Sequence, residues 1–353
     1  MIGRTAVVLV AAAFAVSLAG AAAAQERKLT IVGFGGETDA AYEKTLYKAF
    51  REKTGIKLIV DTWSGKELAM VRAQVEQKNV EWDVLLTDFD RVITGCEQGF
   101  LSPIPKEITG PVDDYFVGSV HECGVPFDVF GSTVNYDAGR PPAAWGGKSP
   151  TSFMDFWDVQ KFPGKRGVRK QIKVTAEQAI MADGVPNEKV YEVMGAPGGI
   201  ERALAKLESI RPHLVFWSRN PQAPQMLADG EVVMSTGNSA RFLAHSQEGR
   251  KFQVIWDRMV WSNNMLVVPK GPRAKDALEL VAFMIKPENM AAPTKFLYYG
   301  PSRKSAMQFV EPQARDMLTT APAHLKTALR RNEEFWVDRE AEFDKKFAVW
   351  LSK

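Results

Sequence analysis

Apolar and polar residues alternate with two different periods along the chain, and the changes of period predict strands followed by helices. Residues 29–32 form a short apolar run that ends at a glycine turn, and apolar residues then recur at helical spacing over 42–50. A strand at 56–60, a helix at 68–75 and a strand at 82–86 repeat this scheme. Two β-α-β units within about 60 residues predict a largely parallel sheet covered by helices.

The second half of the chain continues the alternation after a loop rich in Pro and Gly at 139–150. Further strands are predicted at 214–217, 232–235, 252–256 and 265–268, and further helices at 200–210, 273–286 and 288–298. The last helix is predicted from four aromatic residues spaced for one buried face, which are Trp336, Phe343, Phe347 and Trp350.

The first 24 residues have the layout of a secretory signal peptide. Arg4 supplies a positive charge, 6–18 is an almost unbroken apolar run, and the alanines at 22–24 suit cleavage before Gln25. This apolar run is short for a bilayer span, which needs about 20 residues. We therefore expect an exported protein whose mature chain begins near Gln25.

Charge and cysteine content narrow the classes of function. The chain carries 45 Lys and Arg against 42 Asp and Glu, and it has no basic run of the kind that binds nucleic acid. Its two cysteines are Cys96 and Cys123, and in an oxidising compartment an isolated pair predicts one disulfide. His-Glu-Cys at 121–123 could be taken as metal ligands, but the histidines are otherwise scattered. We predict the disulfide and no metal site.

Signatures of catalysis are missing from the sequence. The glycines at 33–36 resemble the start of a dinucleotide-binding turn, but Thr38 stands where the third glycine is needed. The sequence contains no phosphate-binding loop and no nucleophile elbow. Asp88 and Asp128 could in principle act as acid and base, but nothing in their spacing favours this. We expect no enzyme activity and no cofactor, with a secreted enzyme on the same α/β plan as the alternative from another class.

Four segments together resemble one family. They are WDVLLTD at 82–88, FWDVQKFPGKR at 156–166, GEVVM at 230–234 and YGPS at 299–302. These are similar to stretches of the periplasmic solute-binding proteins of ABC importers, and in particular of the spermidine/putrescine-binding branch, like extracellular solute-binding protein family 1. The resemblance covers essentially the whole mature chain. It implies a monomeric periplasmic protein that delivers a small solute to an inner-membrane permease.

The resemblance also implies a fold. It is the α/β, two-lobed type II periplasmic-binding-protein fold, in which each lobe is a mostly parallel sheet flanked by helices. The chain would cross a hinge more than once, so that the lobes are discontinuous. The expected first lobe is 26–133 plus 263–297, and the second is 134–262 plus 298–353. Closure of the two lobes on a solute would be a hinge motion.

Candidate ligand-binding residues follow from the rule that ligands of such sheets bind outside the carboxyl ends of strands, and from the resemblance. They are Phe34, Glu37, Thr87, Asp88, Phe127, Trp217, Asn238, Ser239, Asn264 and Tyr299. Carboxylates suit the ammonium ends of a polyamine, and aromatic faces suit both the cation and its methylene stem. The leading expectation for the solute is a polyamine such as putrescine or spermidine.

Two departures from the polyamine pattern leave a second class of solute open. An acid that the branch carries before the turn at Pro269 is here Asn264, and an acid used by some members is here Ser239. Arg219 and Arg241 near the expected cleft would repel a diamine, whereas a guanidinium suits a carboxylate. The alternative is the same transport role for an ω-amino acid or another carboxylate-bearing solute.

Overall fold

A computed structural model describes residues 27–62, 67–116, 120–247 and 249–353, so the expected signal peptide lies outside the described residues. In this part of the chain the strands are β1 (Lys28–Gly33), β2 (Lys57–Thr62), β3 (Val84–Asp88), β4 (Val125–Asp137), β5 (Arg166–Arg169), β6 (Leu214–Trp217), β7 (Met234–Asn238), β8 (Phe252–Val267), β9 (Gly300–Pro301) and β10 (Leu329–Arg330). No helix in these ranges is long and apolar enough to cross a membrane.

The α-helices within the same ranges flank the sheet on both faces. They are α1 (Glu37–Tyr42), α2 (Lys48–Thr54), α3 (Glu67–Glu76), α4 (Phe89–Glu97), α5 (Lys106–Thr109), α6 (Thr175–Ala182), α7 (Val190–Gly195), α8 (Gly199–Glu208), α9 (Gln222–Asp229), α10 (Ser239–Gln247), α11 (Ala274–Met284), α12 (Pro287–Ala291), α13 (Pro312–Arg315), α14 (Pro322–Leu325) and α15 (Glu333–Leu351). A π-helical turn, Glu43–Tyr47, joins α1 to α2, and Gly55 ends α2 in the left-handed conformation.

The strands form one mixed sheet in the order β2-β1-β3-β8-β4-β7-β5-β6, with β10 added to β8 and β9 to β4. The parallel units predicted at the start of the chain are present, since β1 pairs with β2 and β3, and at the other end of the sheet β5 pairs in parallel with β6 and β7. The centre is antiparallel, since β8 pairs with β3 and β4. The α/β class is as predicted, but the strands join in a single sheet.

The single sheet arises because β4 and β8 are long enough to run through both halves of the molecule. They pair antiparallel from Val125 with Leu266 to Asp137 with Phe252. The sequence predicted 252–256 and 265–268 as two separate strands, and it predicted no strand over β4. Both strands contain polar residues in buried positions, so the apolar runs and alternation that normally mark a strand are interrupted.

Strands β4 and β8 run through the middle of the molecule, and two large apolar cores lie on either side of this point. Phe130 of β4 belongs to the first core and Val134 to the second. The second core contains the four aromatic residues of α15 that the sequence assigned to a buried face. Residues 298–318 contribute Tyr299 and Leu318 to the first core, a packing that the expected boundaries did not include. The division into two lobes stays a prediction.

The predicted disulfide is present. Cys96, near the end of α4, is bonded to Cys123 just before β4, and the two Cα atoms are 5.7 Å apart. His121 brings a ring nitrogen close to both sulfur atoms, and these three residues are the group in the described ranges whose spacing would suit a metal ion. Because the two sulfurs are bonded to each other, neither is available as a thiolate ligand.

Candidate functional site

A cavity lies where the two cores meet, at the carboxyl ends of β3, β5, β6 and β7. Its volume of about 50 Å³ corresponds to on the order of four water molecules, which is the scale of a compact solute. Six of the ten predicted residues line it, which are Phe34, Asp88, Trp217, Asn238, Asn264 and Tyr299. The strand-end rule therefore located the cavity in both halves of the chain.

Three of the other predicted residues are buried in the protein interior. Phe127 packs edge-on against Tyr42, with ring centroids 5.4 Å apart. Thr87 precedes Asp88 in β3 and therefore faces the opposite side of the sheet. Ser239 is fully buried at the start of α10, where its hydroxyl has no hydrogen-bond partner in the described chain. None of the three lines the cavity.

Glu37 lies at the mouth of the cavity, where it is held by two bases of α10. Its carboxylate is 2.8 Å from Arg241 Nη1 and 3.3 Å from His245 Nε2. Burial opposes ionisation, but His245 and Arg241 lower the pKa of Glu37 to about 2. Arg241 also donates to the carbonyl oxygens of Phe34 and Gly35. This arginine therefore ties α10 to the loop after β1.

An outer cavity of about 820 Å³ opens beyond this mouth, between the loop at 34–37 and the loop at 218–222. The two loops touch, because a Cβ atom on Gly36 would lie 3.2 Å from Pro221 Cγ. Gly36 has a φ of 62°, a conformation that glycine adopts without strain. Arg219 is exposed and lines this outer cavity. Neither arginine singled out from the sequence lines the inner cavity.

The inner cavity does contain an arginine that the sequence did not single out. The side chain of Arg169, the last residue of β5, makes no hydrogen bond or ion pair with the described residues, and its guanidinium lies 5.8 Å from the centre of the Trp217 ring. Burial lowers the pKa of Arg169, and the nearby Asp88 carboxylate opposes this effect. Since arginine titrates far above neutral pH, Arg169 stays charged.

The beginning of α6 adds to the positive potential on the same wall. Val174 and Thr175 line the cavity at the N-terminus of this helix, which has no side-chain cap. Val174 has a φ of 71°, a strained conformation for a β-branched residue that is retained where the surrounding structure enforces it. Helix N-termini favour negative charge because their first N–H groups lack partners within the helix. Arg169 and α6 together form a wall suited to an anion.

Two other cations at the cavity are already neutralised. Lys173 lies 2.6 Å from Asp90 and 3.2 Å from Glu340, and Arg331 lies 2.9 Å from Glu333 and 3.5 Å from Asp90. Although burial favours the neutral acid, Lys173 and Arg331 lower the pKa of Asp90 to about 2. These side chains form a buried ion-pair network, so they are less available to a solute than Arg169.

A row of polar side chains that crosses the sheet forms a second wall of the cavity. Asn264 of β8 is in register with Asp88 of β3 on one side and with Asp128 of β4 on the other. Asn264 Nδ2 donates to Asp128 Oδ1 over 2.6 Å, and the Tyr42 hydroxyl donates to the second oxygen of Asp128. Burial raises the pKa of Asp128 to about 7, against the effect of these two donors. Asp88 lines the cavity and lies 3.6 Å from Arg331.

Comparison with known proteins supports the solute-binding interpretation. Residues 45–325 match the family model described as bacterial extracellular solute-binding protein. The chain belongs to this family. The structure resembles an ABC transporter substrate-binding protein from Bradyrhizobium japonicum, with a TM-score of 0.82, 26% identity and coverage of 92% of this chain and 99% of that one. The periplasmic-binding-protein fold expected from the sequence is thereby confirmed.

Two curated members of the family bear on the solute. The chain is 35% identical to a gamma-aminobutyric acid-binding protein from Pseudomonas aeruginosa over 341 residues, which is 96% of this chain and 95% of the relative. It is 20% identical to a putrescine/agmatine-binding protein of the same organism over 298 residues, or 76% and 77% of the two chains. These relatives are binding proteins and not enzymes. Membership of the polyamine branch stays a prediction.

Proposed function

We propose that this chain is the periplasmic substrate-binding component of an ABC importer, and that its solute is a small ω-amino acid such as 4-aminobutyrate. The chain would bind this zwitterion in the inner cavity without turnover and deliver it to an inner-membrane permease. One observation carries the proposal. Within the described residues, Arg169 is a cavity-lining guanidinium without an ion-pair partner, in a cavity that Asp88 and Asn264 also line.

The carboxylate end of the solute is assigned to the wall formed by Arg169 and α6. Arg169 is half-buried, and a partly desolvated cation without a partner is costly, so a bound carboxylate would remove a penalty as well as add an interaction. The planar guanidinium can donate two parallel hydrogen bonds to a carboxylate. The N-terminus of α6 would favour the same negative charge. This wall supports a solute that carries a carboxylate.

The ammonium end is assigned to the row that contains Asp88 and Asn264. Asp88 offers a carboxylate, and Phe34, Trp217 and Tyr299 offer aromatic faces against which a methylene stem can pack. Asn238 Nδ2 donates to the Tyr299 hydroxyl over 3.3 Å, which leaves the hydroxyl proton free to donate. A positive charge on Arg169 and a negative charge on Asp88 favour one orientation of a zwitterion in the cavity.

A polyamine fits this charge distribution less well. One end of a diamine would lie against Arg169, where two positive charges would repel each other at short range. The higher identity to the gamma-aminobutyric acid-binding relative supports the same choice. The observations in favour of a polyamine are the aromatic lining and Asp88, and both also suit the ammonium half of an ω-amino acid.

A thermal-shift experiment on the mature protein tests the proposal. Carried-over solute is removed by partial unfolding and dialysis, and the panel contains 4-aminobutyrate, putrescine, spermidine, basic amino acids, choline-type amines and dicarboxylates. A solute at 100 times its dissociation constant stabilises the fold by about 2.7 kcal/mol, which raises Tm by several degrees. We expect the largest shift with 4-aminobutyrate. A shift with polyamines alone would contradict the proposed solute, and conversion of a bound compound to product would contradict the binding role.

A further inference from the structure

Asn264 is a buried amide at the inner cavity, and its two side-chain atoms have different surroundings. Asn264 lies at the centre of the row formed with Asp88 and Asp128, and it is 4% exposed. Its side-chain nitrogen donates a hydrogen bond to Asp128 Oδ1 over 2.6 Å. Its side-chain oxygen has no hydrogen-bond partner among the described residues, and this oxygen is not sealed from solvent. Asn264 lines the inner cavity, so the available oxygen belongs to the cavity wall.

Asp128 is itself held in place. Its second oxygen accepts the hydrogen bond of the Tyr42 hydroxyl, so both carboxyl oxygens act as acceptors. Tyr42 is 1% exposed and ends α1 directly before the π-helical turn that joins α1 to α2. When the NH2 group of a buried amide donates to a fixed acceptor, the positions of the amide nitrogen and oxygen are defined. Asp128 does not line the cavity and therefore acts on a solute only through a neighbour.

We propose that Asn264 presents its side-chain oxygen to the ammonium group of the solute, and that Asp128 is the positioning residue that fixes this orientation. This inference rests on the proposed function, because it assigns the ammonium end of the same site. Because Asn264 is a neutral acceptor, the ammonium subsite contains one negative charge, that of Asp88. A carboxylate at position 264 would have made two. A subsite with one negative charge suits a singly charged ammonium whose carboxylate partner is carried by the same molecule.

The role of Asp128 depends on an acceptor and not on a negative charge. Asparagine at position 128 can accept from Asn264 through its oxygen and donate to Tyr42 through its nitrogen. The variant Asp128→Asn should therefore preserve the orientation of Asn264. The variant Asp128→Leu removes the acceptor, so that the Asn264 amide can turn its nitrogen towards the cavity. A donor aimed at an ammonium group repels it.

The test is a double-mutant cycle with 4-aminobutyrate, measured by titration calorimetry on the mature protein. We expect Asn264→Leu to weaken binding by about 10- to 100-fold, the range for one hydrogen bond to a charged group. Asp128→Leu should weaken binding to a similar extent, whereas Asp128→Asn should stay within roughly threefold of the parent. The double variant with leucine at both positions should bind about as well as Asn264→Leu alone, because Asp128 acts through Asn264.

A matched control is Asn135→Leu. Asn135 is fully buried in β4 and hydrogen-bonded like Asn264, but it lies outside the cavity. Its loss should lower stability and leave the dissociation constant unchanged. Full binding by Asn264→Leu would overturn the inference, and so would additive losses in the double variant or a loss in Asp128→Asn equal to that in Asp128→Leu. Failure of the parent protein to bind 4-aminobutyrate would instead contradict the proposed function.

Discussion

The two walls of the cavity carry opposite charges, but they differ in how far the protein neutralises them. On one wall Arg169 has no ion-pair partner within the described chain. On the other wall Asp88 lies 3.6 Å from Arg331. Asp128 does not line the cavity and accepts hydrogen bonds from Asn264 and Tyr42. The number of acidic and basic residues that line the cavity therefore does not determine the charge that a solute meets there. We expect the carboxylate end of the solute to contribute more to binding than the ammonium end.

Loss of the unpaired guanidinium should have the largest effect on binding. Arg169→Ala removes up to two charge-assisted hydrogen bonds, each worth about 1.5–3 kcal/mol, so the dissociation constant for 4-aminobutyrate should rise by at least about 100-fold. Titration calorimetry measures the change. The control is Arg219→Ala, since Arg219 is exposed in the outer cavity. Equal affinities of the two variants would show that Arg169 is not the carboxylate anchor.

Removal of the Asp88 charge from the second wall should have a smaller effect on binding. Asp88→Asn keeps the shape of the side chain but removes a carboxylate that is already shared with Arg331. We expect affinity for 4-aminobutyrate to fall by about 10-fold, as for one weakened charged contact. Asp113→Asn serves as the control because Asp113 is exposed and does not line either cavity. A loss of affinity greater than that caused by Arg169→Ala would mean that the Asp88 wall contributes more to binding than the Arg169 wall.

The buried acid behind the second wall should affect the pH dependence of stability. Burial raises the pKa of Asp128 from 3.8 to about 7, so between these values the folded protein keeps a proton that the unfolded chain has lost. The free energy of unfolding should therefore decrease as the pH rises through this window. Relative to Asp128→Asn, the decrease is on the order of a few kcal/mol. Urea unfolding of both proteins from pH 4 to pH 8 measures it, and parallel curves would contradict it.

The disulfide should have the smallest effect on binding. Neither Cys96 nor Cys123 lines the inner cavity, so replacing both with serine should leave the dissociation constant unchanged. The free energy of unfolding should fall by about 3–4 kcal/mol for a loop of this length, as measured by urea unfolding. Reduction of the parent protein provides an independent comparison. A large change in affinity would contradict the expectation that the disulfide acts on stability alone.

Much of the fold and part of the site were predictable from local sequence. The β-α-β periodicity located the strand ends, and the strand-end rule then located Phe34, Asp88 and Trp217. The rule failed at Thr87, because strand residues alternate between faces and the sequence did not settle which of Thr87 and Asp88 faces the ligand. Phe127 was proposed for its aromatic face and not by this rule, and because β4 was not recognised as a strand, its packing against Tyr42 was not foreseen.

Arg169, the arginine without an ion-pair partner in the described chain, was not predicted for a different reason. Arg169, Arg241 and Arg331 are the same residue type, and only the positions of their partners separate them. Arg241 is matched by Glu37, which is more than 200 positions away in the sequence. Ion pairs between distant segments leave no local pattern. Arg169 also ends a strand whose sequence, RGVR at 166–169, contains a single large apolar residue, so no strand was predicted there and the strand-end rule was not applied to it.

The most direct test of the two-ended site compares 4-aminobutyrate with analogues that each lack one charged group. Titration calorimetry of the mature protein with 4-aminobutyrate, butyrate and butylamine measures what each end contributes. We expect both analogues to bind more weakly than 4-aminobutyrate, and butylamine, which lacks the partner of Arg169, to bind most weakly. Binding of butylamine as tight as that of 4-aminobutyrate would show that the cavity is not built for a carboxylate as well as an ammonium group.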